Sequence, residues 1–408
     1  MNNTHLYFLN AIRCGATGER FQSRQADIDY GELVHLASMH NSVPIFYVGL
    51  NGNTDGQVWP EVYLTHLKEI SLANAVRQMV AYNALNVFLE ACENAGIRAV
   101  VFKGIVLADL YKDYISRPSC DSDILIDPAG YNIVHKLLRE SGYTFLAAES
   151  GEHVKCYKSK NLSIDLHLRL WGDSVGRHIG AVEKHRLDDM EKTINLRVRQ
   201  LNITTLDYQA HFIYLLVHIA KHFIIKGVGV RQLMDVSLFY DRYRDNIDLP
   251  ALWALIDDMG FLSVVRYIFK ICERHLGMDA SIFMGEDPVI DNDVLNALIK
   301  DIIEGGAFGT TPERSVSHNV VKESYYAGLK NKNQGALVWH LIFPRAVALP
   351  KKYKYVRKYP ILLPIAWAHR ILNFIRNRLV RKDHIKMFSA INQSSERIRL
   401  LEDLDLVK

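Results

Sequence analysis

The apolar positions of this chain change period along its length, and each change marks an element. In residues 1 to about 95 they recur at three and four, the helical spacing. In LANAVRQMVAYNALNVFLEACENAG, the residues Leu72, Val76, Met79, Val80, Ala84, Val87, Phe88 and Cys92 fall around one broad face, and Gly96 ends the run. The pattern then shortens. IRAVVFKG, residues 97–104, predicts a β-branched strand that stops at a glycine where the backbone can turn sharply. Helix-like IVLADLYKDY follows, then a loop with Arg117 and Pro118, then a second strand in RPSCDSDILIDP. Asp127 and Pro128 read as an N-cap and first helical residue ahead of AGYNIVHKLLRESG, which Gly142 closes. Extended stretches near HVKCYKSK and LSIDLHLRL complete a mixed unit of short connections, with helices expected on one side of its sheet.

From about 205 to 310 the spacing is helical again, through DYQAHFIYLLVHIAKHFIIKG, VRQLMDVSLFYDRYR, LPALWALIDDMG, FLSVVRYIFKICERHLG and GEDPVIDNDVLNALIKDIIEGG. Residues 311–335 are polar without clear periodicity and read as a loop. The tail after them mixes tyrosines, prolines and basic residues with one apolar-periodic helix. The expected fold is therefore α+β: a small mixed β-sheet core over 96–200, an N-terminal helical region over 1–95, a helical domain over 201–310, and a loop with a basic helical tail over 311–408.

Composition narrows the class. At 408 residues and 49% hydrophobic content the chain can fill two or three cores. Its net charge of +4 is mild, and basic residues collect between Arg345 and Lys386, away from the aspartate-rich centre. That is a poor footprint for an obligatory nucleic-acid partner. Five cysteines, Cys14, Cys92, Cys120, Cys156 and Cys272, lack metal-ligand spacing and read as free thiols in a reducing compartment. The N-terminus lacks the pattern of a secretion signal, and no apolar run approaches the ~20 residues needed to cross a bilayer. A cytoplasmic location is expected.

The chemistry concentrates in the second strand. Side chains alternate across a strand, so Asp121 and Asp123 share a face while Ser122 and Ile124 face away. Two carboxylates this close repel unless a cation or a proton lies between them. Magnesium suits them, because it takes oxygen ligands and is commonly completed by substrate phosphates. Asp165, in the strand context IDLHL, offers a third carboxylate. The plain alternative is an edge strand with solvated acids, but Leu125 and Ile126 speak for a strand packed into a core.

Around this group, Lys103 and Gly104 end one strand and open a helix, where backbone N–H groups and a lysine can meet a phosphate; a turn glycine beside a solvated lysine is the competing reading. Arg117 can pair with Asp121 or hold a triphosphate. His167 shares the face of Asp165 and reads first as structural. His211, His218 and His222 recur on one helix without the partners a zinc site needs. Lys221 and Arg231 are candidates for the phosphate side of a cleft, although Arg231 and Asp235, four apart, form a salt bridge by default.

The order of these motifs resembles the nucleotidyltransferase superfamily with a DNA-polymerase-β-like core, and in particular its family of uncharacterised bacterial nucleotidyltransferases. VVFKG with IVLADLY, Arg117 ahead of Asp121 and Asp123, Asp165 in an Asp-Leu-His triplet, HIAKHF, VRQLMDVSLFY and IFPRAVALPKKY all take part in the likeness. The resemblance implies transfer of a nucleoside monophosphate from an NTP, ATP first, to a small-molecule, sugar or protein acceptor, with release of pyrophosphate and no nucleic-acid template. It implies Asp121, Asp123 and Asp165 as ligands of Mg2+ or Mn2+, with Lys103, Gly104, Arg117, Lys221 and Arg231 toward the nucleotide. Ile105 stands where the usual Gly-Ser turn has serine. That departure motivates a second hypothesis, a nucleotide-binding or regulatory protein that no longer turns over.

The tail carries Ile361, Leu362, Leu363, Ile365, Trp367 and Ile371 beside Arg370, Arg376, Arg378, Arg381 and Lys382. Such a basic amphipathic helix can lie on a membrane surface. Covering a core with its arginines in water is the favoured expectation.

Overall fold

The computed structural model describes residues 1–21, 27–51, 58–146, 153–159, 162–171, 192–225, 227–286, 288–307, 355–381 and 387–406, with scattered positions between 339 and 353. The chain forms two compact units. The first comprises Met1–Ile219 and Gly229–Val289, the second Ala220–Val228 and Ile290–Lys408.

The first unit begins with three helices, α1 (Asn3–Thr17), α2 (Tyr30–Met39) and α3 (Val43–Asn51). They bury Tyr7, Phe8, Ile12, Leu33, Ile45, Phe46 and Trp59. The first and third touch backbone to backbone at Gly15 and Gly49, where any added Cβ would collide with the carbonyls of Ile45 and Ala11.

Next comes α4 (Glu61–Asn94), and here the structure corrects the expected face. Leu72, Val76, Met79, Val80 and Val87 are exposed, whereas Leu67, Asn74, Gln78, Leu85, Phe88 and Cys92 are buried. The reason is polar. Asn74 Nδ2 donates to the Ile115 carbonyl at 2.9 Å and Gln78 Nε2 to that of Ser119 at 3.0 Å. These loop carbonyls would lose water on burial, and leaving them unpaired costs more than exposing a few valines.

The mixed sheet expected from the sequence is present and has seven strands among the described residues. They are β1 (Ala99–Phe102), β2 (Ser122–Ile126), β3 (Thr144–Phe145), β4 (His153–Ser159), β5 (Leu162–His167), β6 (Thr193–Val198) and β7 (Leu201–Leu206). Their order is β3-β4-β5-β2-β1-β7-β6. Two pairings are parallel, β2 with β5 and β1 with β7, and the rest are antiparallel. The β6–β7 hairpin is absent from the sequence reading. Its two-residue turn places Arg199 at φ 57° without the asparagine or glycine that marks such turns.

One sheet face is apolar. Val101, Ile124, Ile126, Ile164 and Leu166 pack with Leu85, Phe88 and Cys92 of α4 and with Val134 and Leu138 of α6 (Tyr131–Glu140). The opposite face carries Phe102, Asp123, Asp165 and His167, and it is here that α7 (Tyr208–Ile225) places His211 and Tyr214, against Lys103 and Phe102. A further helix, α8 (Val230–Tyr243), is buried from Leu233 to Tyr240. Because α7 is long, its last turn belongs to the second unit.

In the second unit α9 (Asn292–Gly305) and a terminal helix, Met387–Asp403, are tied by the buried Arg397, which donates to the Phe223 carbonyl and to Asp301 at 3.2 Å. Leu349, Tyr353, Val356 and Ala366 form a separate cluster. In the tail helix Leu363–Arg381, Trp367 donates to the Pro344 carbonyl at 2.8 Å, while Ile365 and Leu372 are exposed. No helix of the described residues is long and apolar enough to cross a membrane. The loop expected over 311–335 lies outside the described residues.

Candidate active site

The parallel pairing of β2 with β5 sets Asp123 directly beside Asp165, and two residues on, Leu125 beside His167. Period-two alternation then points Asp123, Asp165 and His167 to one face. One donor atom from each of these three lies within 4.8 Å of the others. Two carboxylates and an imidazole at this spacing fit a divalent cation.

Asp121 precedes β2 and joins the group through charge. Its Oδ2 lies 3.4 Å from Lys155 Nζ, and Lys155 sits opposite Asp165 on β4. Burial and the neighbouring charge of Asp123 hold the Asp121 carboxyl above its ordinary value. Asp123 goes the other way. Burial alone would raise it, but the Lys103 ammonium and the His167 hydrogen bond overcome that and hold it well below the carboxylate range. Two acids two residues apart thus have opposite proton affinities, a pattern common where charge is used chemically.

Lys103 Nζ lies 3.1 Å from Asp123 Oδ1 and 4.9 Å above the ring of Tyr214. Burial would lower the lysine's proton affinity, yet Asp123 and Tyr214 raise it above the ordinary value, so it is an ammonium. Its backbone is unusual, with φ 53° and ψ −132°. Side chains other than glycine seldom adopt this region, and such strain gathers at functional sites.

Two buried groups hold that turn. The Lys103 N–H donates to Nε2 of His211 at 3.1 Å, and Arg117 Nη1 donates to the Gly104 carbonyl at 3.2 Å. His211 is fully enclosed, and burial with the Lys103 charge lowers its pKa to about 3. The helix that Gly104 opens, α5 (Gly104–Ala108), is so short that its dipole is slight and Lys103 is the positive charge at this corner. Ile105, at the expected serine position, is buried in the core beside α4.

Arg117 departs from expectation. It meets neither Asp121 nor open space. Its fork grips Asp235 at 2.7 and 2.8 Å, and Tyr111 donates to the same carboxylate at 2.8 Å. Both partners are buried, so an arginine able to reach phosphate in the sequence reading instead braces the turn from α8. Arg231 is corrected with it. Asp235 is taken, and Arg231 donates to the Pro118 carbonyl. Lys221 and His222 fall in the second unit, while His218 stacks on Tyr214 with centroids 5.7 Å apart.

Residues 26–277 match the sequence model of a family described as uncharacterised nucleotidyltransferase. The chain belongs to that family. The match takes in every residue of the carboxylate site and the α7 and α8 helices that support it. No curated protein matches the chain. Membership agrees with the resemblance carried by the Lys-Gly turn, the aspartate strand and the Asp-Leu-His triplet.

Sequence reasoning missed Lys155, Tyr214 and the roles of His211 and Trp171. Lys155 could have been found from strand alternation, because it occupies the site face of β4. His211, Tyr214 and His218 follow the three-and-four spacing of one helix face. Trp171 packs on Tyr214 with centroids 5.2 Å apart, a contact that no local pattern announces.

Proposed function

We propose that this protein transfers a nucleoside monophosphate from an NTP to an acceptor hydroxyl in a reaction that depends on magnesium or manganese. The observation that carries the reading is the side-by-side register of Asp123 and Asp165, with Asp121 two residues away. Asp121, Asp123 and Asp165 would hold the metal, which supplies charge stabilisation at the transferred phosphoryl group.

The protein's own groups do the rest. Lys103 meets the charge of the triphosphate, and Lys155 adds a second, more exposed ammonium on the same face. The acceptor oxygen bonds to the α-phosphorus, the α–β phosphoanhydride bond breaks, and pyrophosphate leaves with the electron pair. The hydroxyl proton passes to Asp165. Arg117 and His211 act from behind by fixing the Lys103–Gly104 backbone.

Against the inactive alternative, Ile105 points into the core, so the missing hydroxyl has no place facing phosphate in this turn. The strained Lys103 carries the cation instead. The test is incubation of the purified chain with each of the four α-labelled NTPs, metal and fractionated cell acceptors, followed by mass analysis. Transfer that Asp123→Asn and Asp165→Asn abolish, with thermal unfolding still cooperative, supports the reading. Nucleotide binding without pyrophosphate release across that screen favours the regulatory alternative.

A further inference from the structure

We propose that His167 is itself a metal ligand and that, through it, the site favours manganese over magnesium. The inference deepens the nucleotidyltransfer reading and rests on it. Placed two residues beyond Asp165 on β5, His167 is turned by the pleat to the carboxylate face. Its Nε2 lies 3.1 Å from Asp123 Oδ1. Neighbouring corners of an octahedron with bonds of about 2.1 Å are roughly 3 Å apart, and opposite corners roughly 4.2 Å. The Asp123–His167 separation is therefore that of adjacent ligands. The 4.8 Å limit within which Asp165 joins them admits a shared centre.

A hydrogen bond from His167 to Asp123 would explain the first distance alone. The β2–β5 register adds Asp165 beside both and completes a group of three converging donors. Asp123 and His167 are buried, at 7% and 9% exposure, so the imidazole is held where the carboxylates converge rather than at the rim. Phe102 packs against its ring in a T-shaped contact with centroids 5.0 Å apart.

Donor chemistry then sets the metal. Magnesium demands oxygen and gives up water reluctantly, whereas imidazole nitrogen suits the first-row transition ions. Manganese accepts the carboxylates and phosphates that magnesium accepts and gains from the nitrogen as well. An all-carboxylate site gives it less advantage.

The test is pulsed electron paramagnetic resonance on the full chain, with histidine nitrogen isotopically labelled, loaded with manganese and an α,β-methylene NTP analogue. Phosphorus coupling reports nucleotide on the metal, and labelled-nitrogen coupling reports a bound imidazole. Both are expected. His167→Gln, which keeps a donor for Asp123, should lose the nitrogen coupling and retain the phosphorus coupling. Its manganese-over-magnesium preference in competition titration should fall about tenfold. Phosphorus coupling with no nitrogen coupling, or nitrogen coupling that survives in His167→Gln, overturns the ligand assignment and leaves the nucleotidyltransfer reading intact. Absence of both couplings overturns both.

Discussion

The imidazole of His211 accepts the backbone N–H of Lys103 at 3.1 Å, joining α7 to the strained turn that ends β1. This bond needs an unprotonated Nε2, which burial and the Lys103 charge maintain by lowering the pKa to about 3. An unfolded histidine takes up a proton near pH 6.5. Between about pH 6.5 and pH 3 the unfolded chain therefore binds the extra proton, and stability falls as pH falls, by up to about 1.4 kcal/mol per unit. His211→Gln, which keeps an acceptor, should flatten that part of the stability curve in urea unfolding measured at stepped pH. His211→Ala should in addition lose turnover through a freed turn.

Lys103 and Asp123 form a second linkage of opposite kind. The acid's proton affinity is lowered and the base's raised, so their mutual stabilisation is present above the ordinary carboxylate pKa of about 4 and below the ordinary lysine pKa of about 10. It is lost as pH falls through the depressed Asp123 value or rises through the elevated Lys103 value. Between pH 5 and 9, roughly, Lys103→Met should cost a constant amount, about 3 kcal/mol, because it leaves a buried carboxylate without its ammonium partner. Calorimetric titration with a non-hydrolysable NTP should show affinity weakened about tenfold, in line with the loss of one charge-assisted contact.

The Arg117–Asp235 fork joins the aspartate loop to α8. Arg117→Ala should destabilise the protein by about 3–5 kcal/mol in chemical unfolding, since Asp235 stays buried with its partner gone. Arg117→Lys keeps the charge but not the planar pair of bonds, and should fall between the two.

Gln78 offers a test of the α4 orientation. Gln78→Leu adds the apolar residue that helical periodicity would favour on a buried face, yet it strips the Ser119 carbonyl of its donor. Stability should drop by about 1–3 kcal/mol. Val76→Gln on the exposed side should change it by less than about 0.5 kcal/mol.

The readability of these features differed for physical reasons. Strand and helix periods placed β1, β2, β5 and α6, because each buries one regular face. Alternation put Asp121 and Asp123 together, and the Asp165 strand context made it their partner. The α4 face misled because Asn74 and Gln78 answer to carbonyls 41 residues away. The β6–β7 hairpin was hidden by an arginine in a turn that usually advertises itself with glycine. Arg117 offered several carboxylates within reach of a sequence argument, and its true partner lies 118 residues further on.

The parallel alignment of β2 with β5 has an evolutionary consequence. An insertion or deletion of one residue in β5 would drive Asp165 and His167 into the oily layer beneath α4 and turn Ile164 and Leu166 onto the charged face. Such a lineage would lose its fold before it could drift to a different chemistry, so the greasy side of the strand polices the spelling of the reactive side.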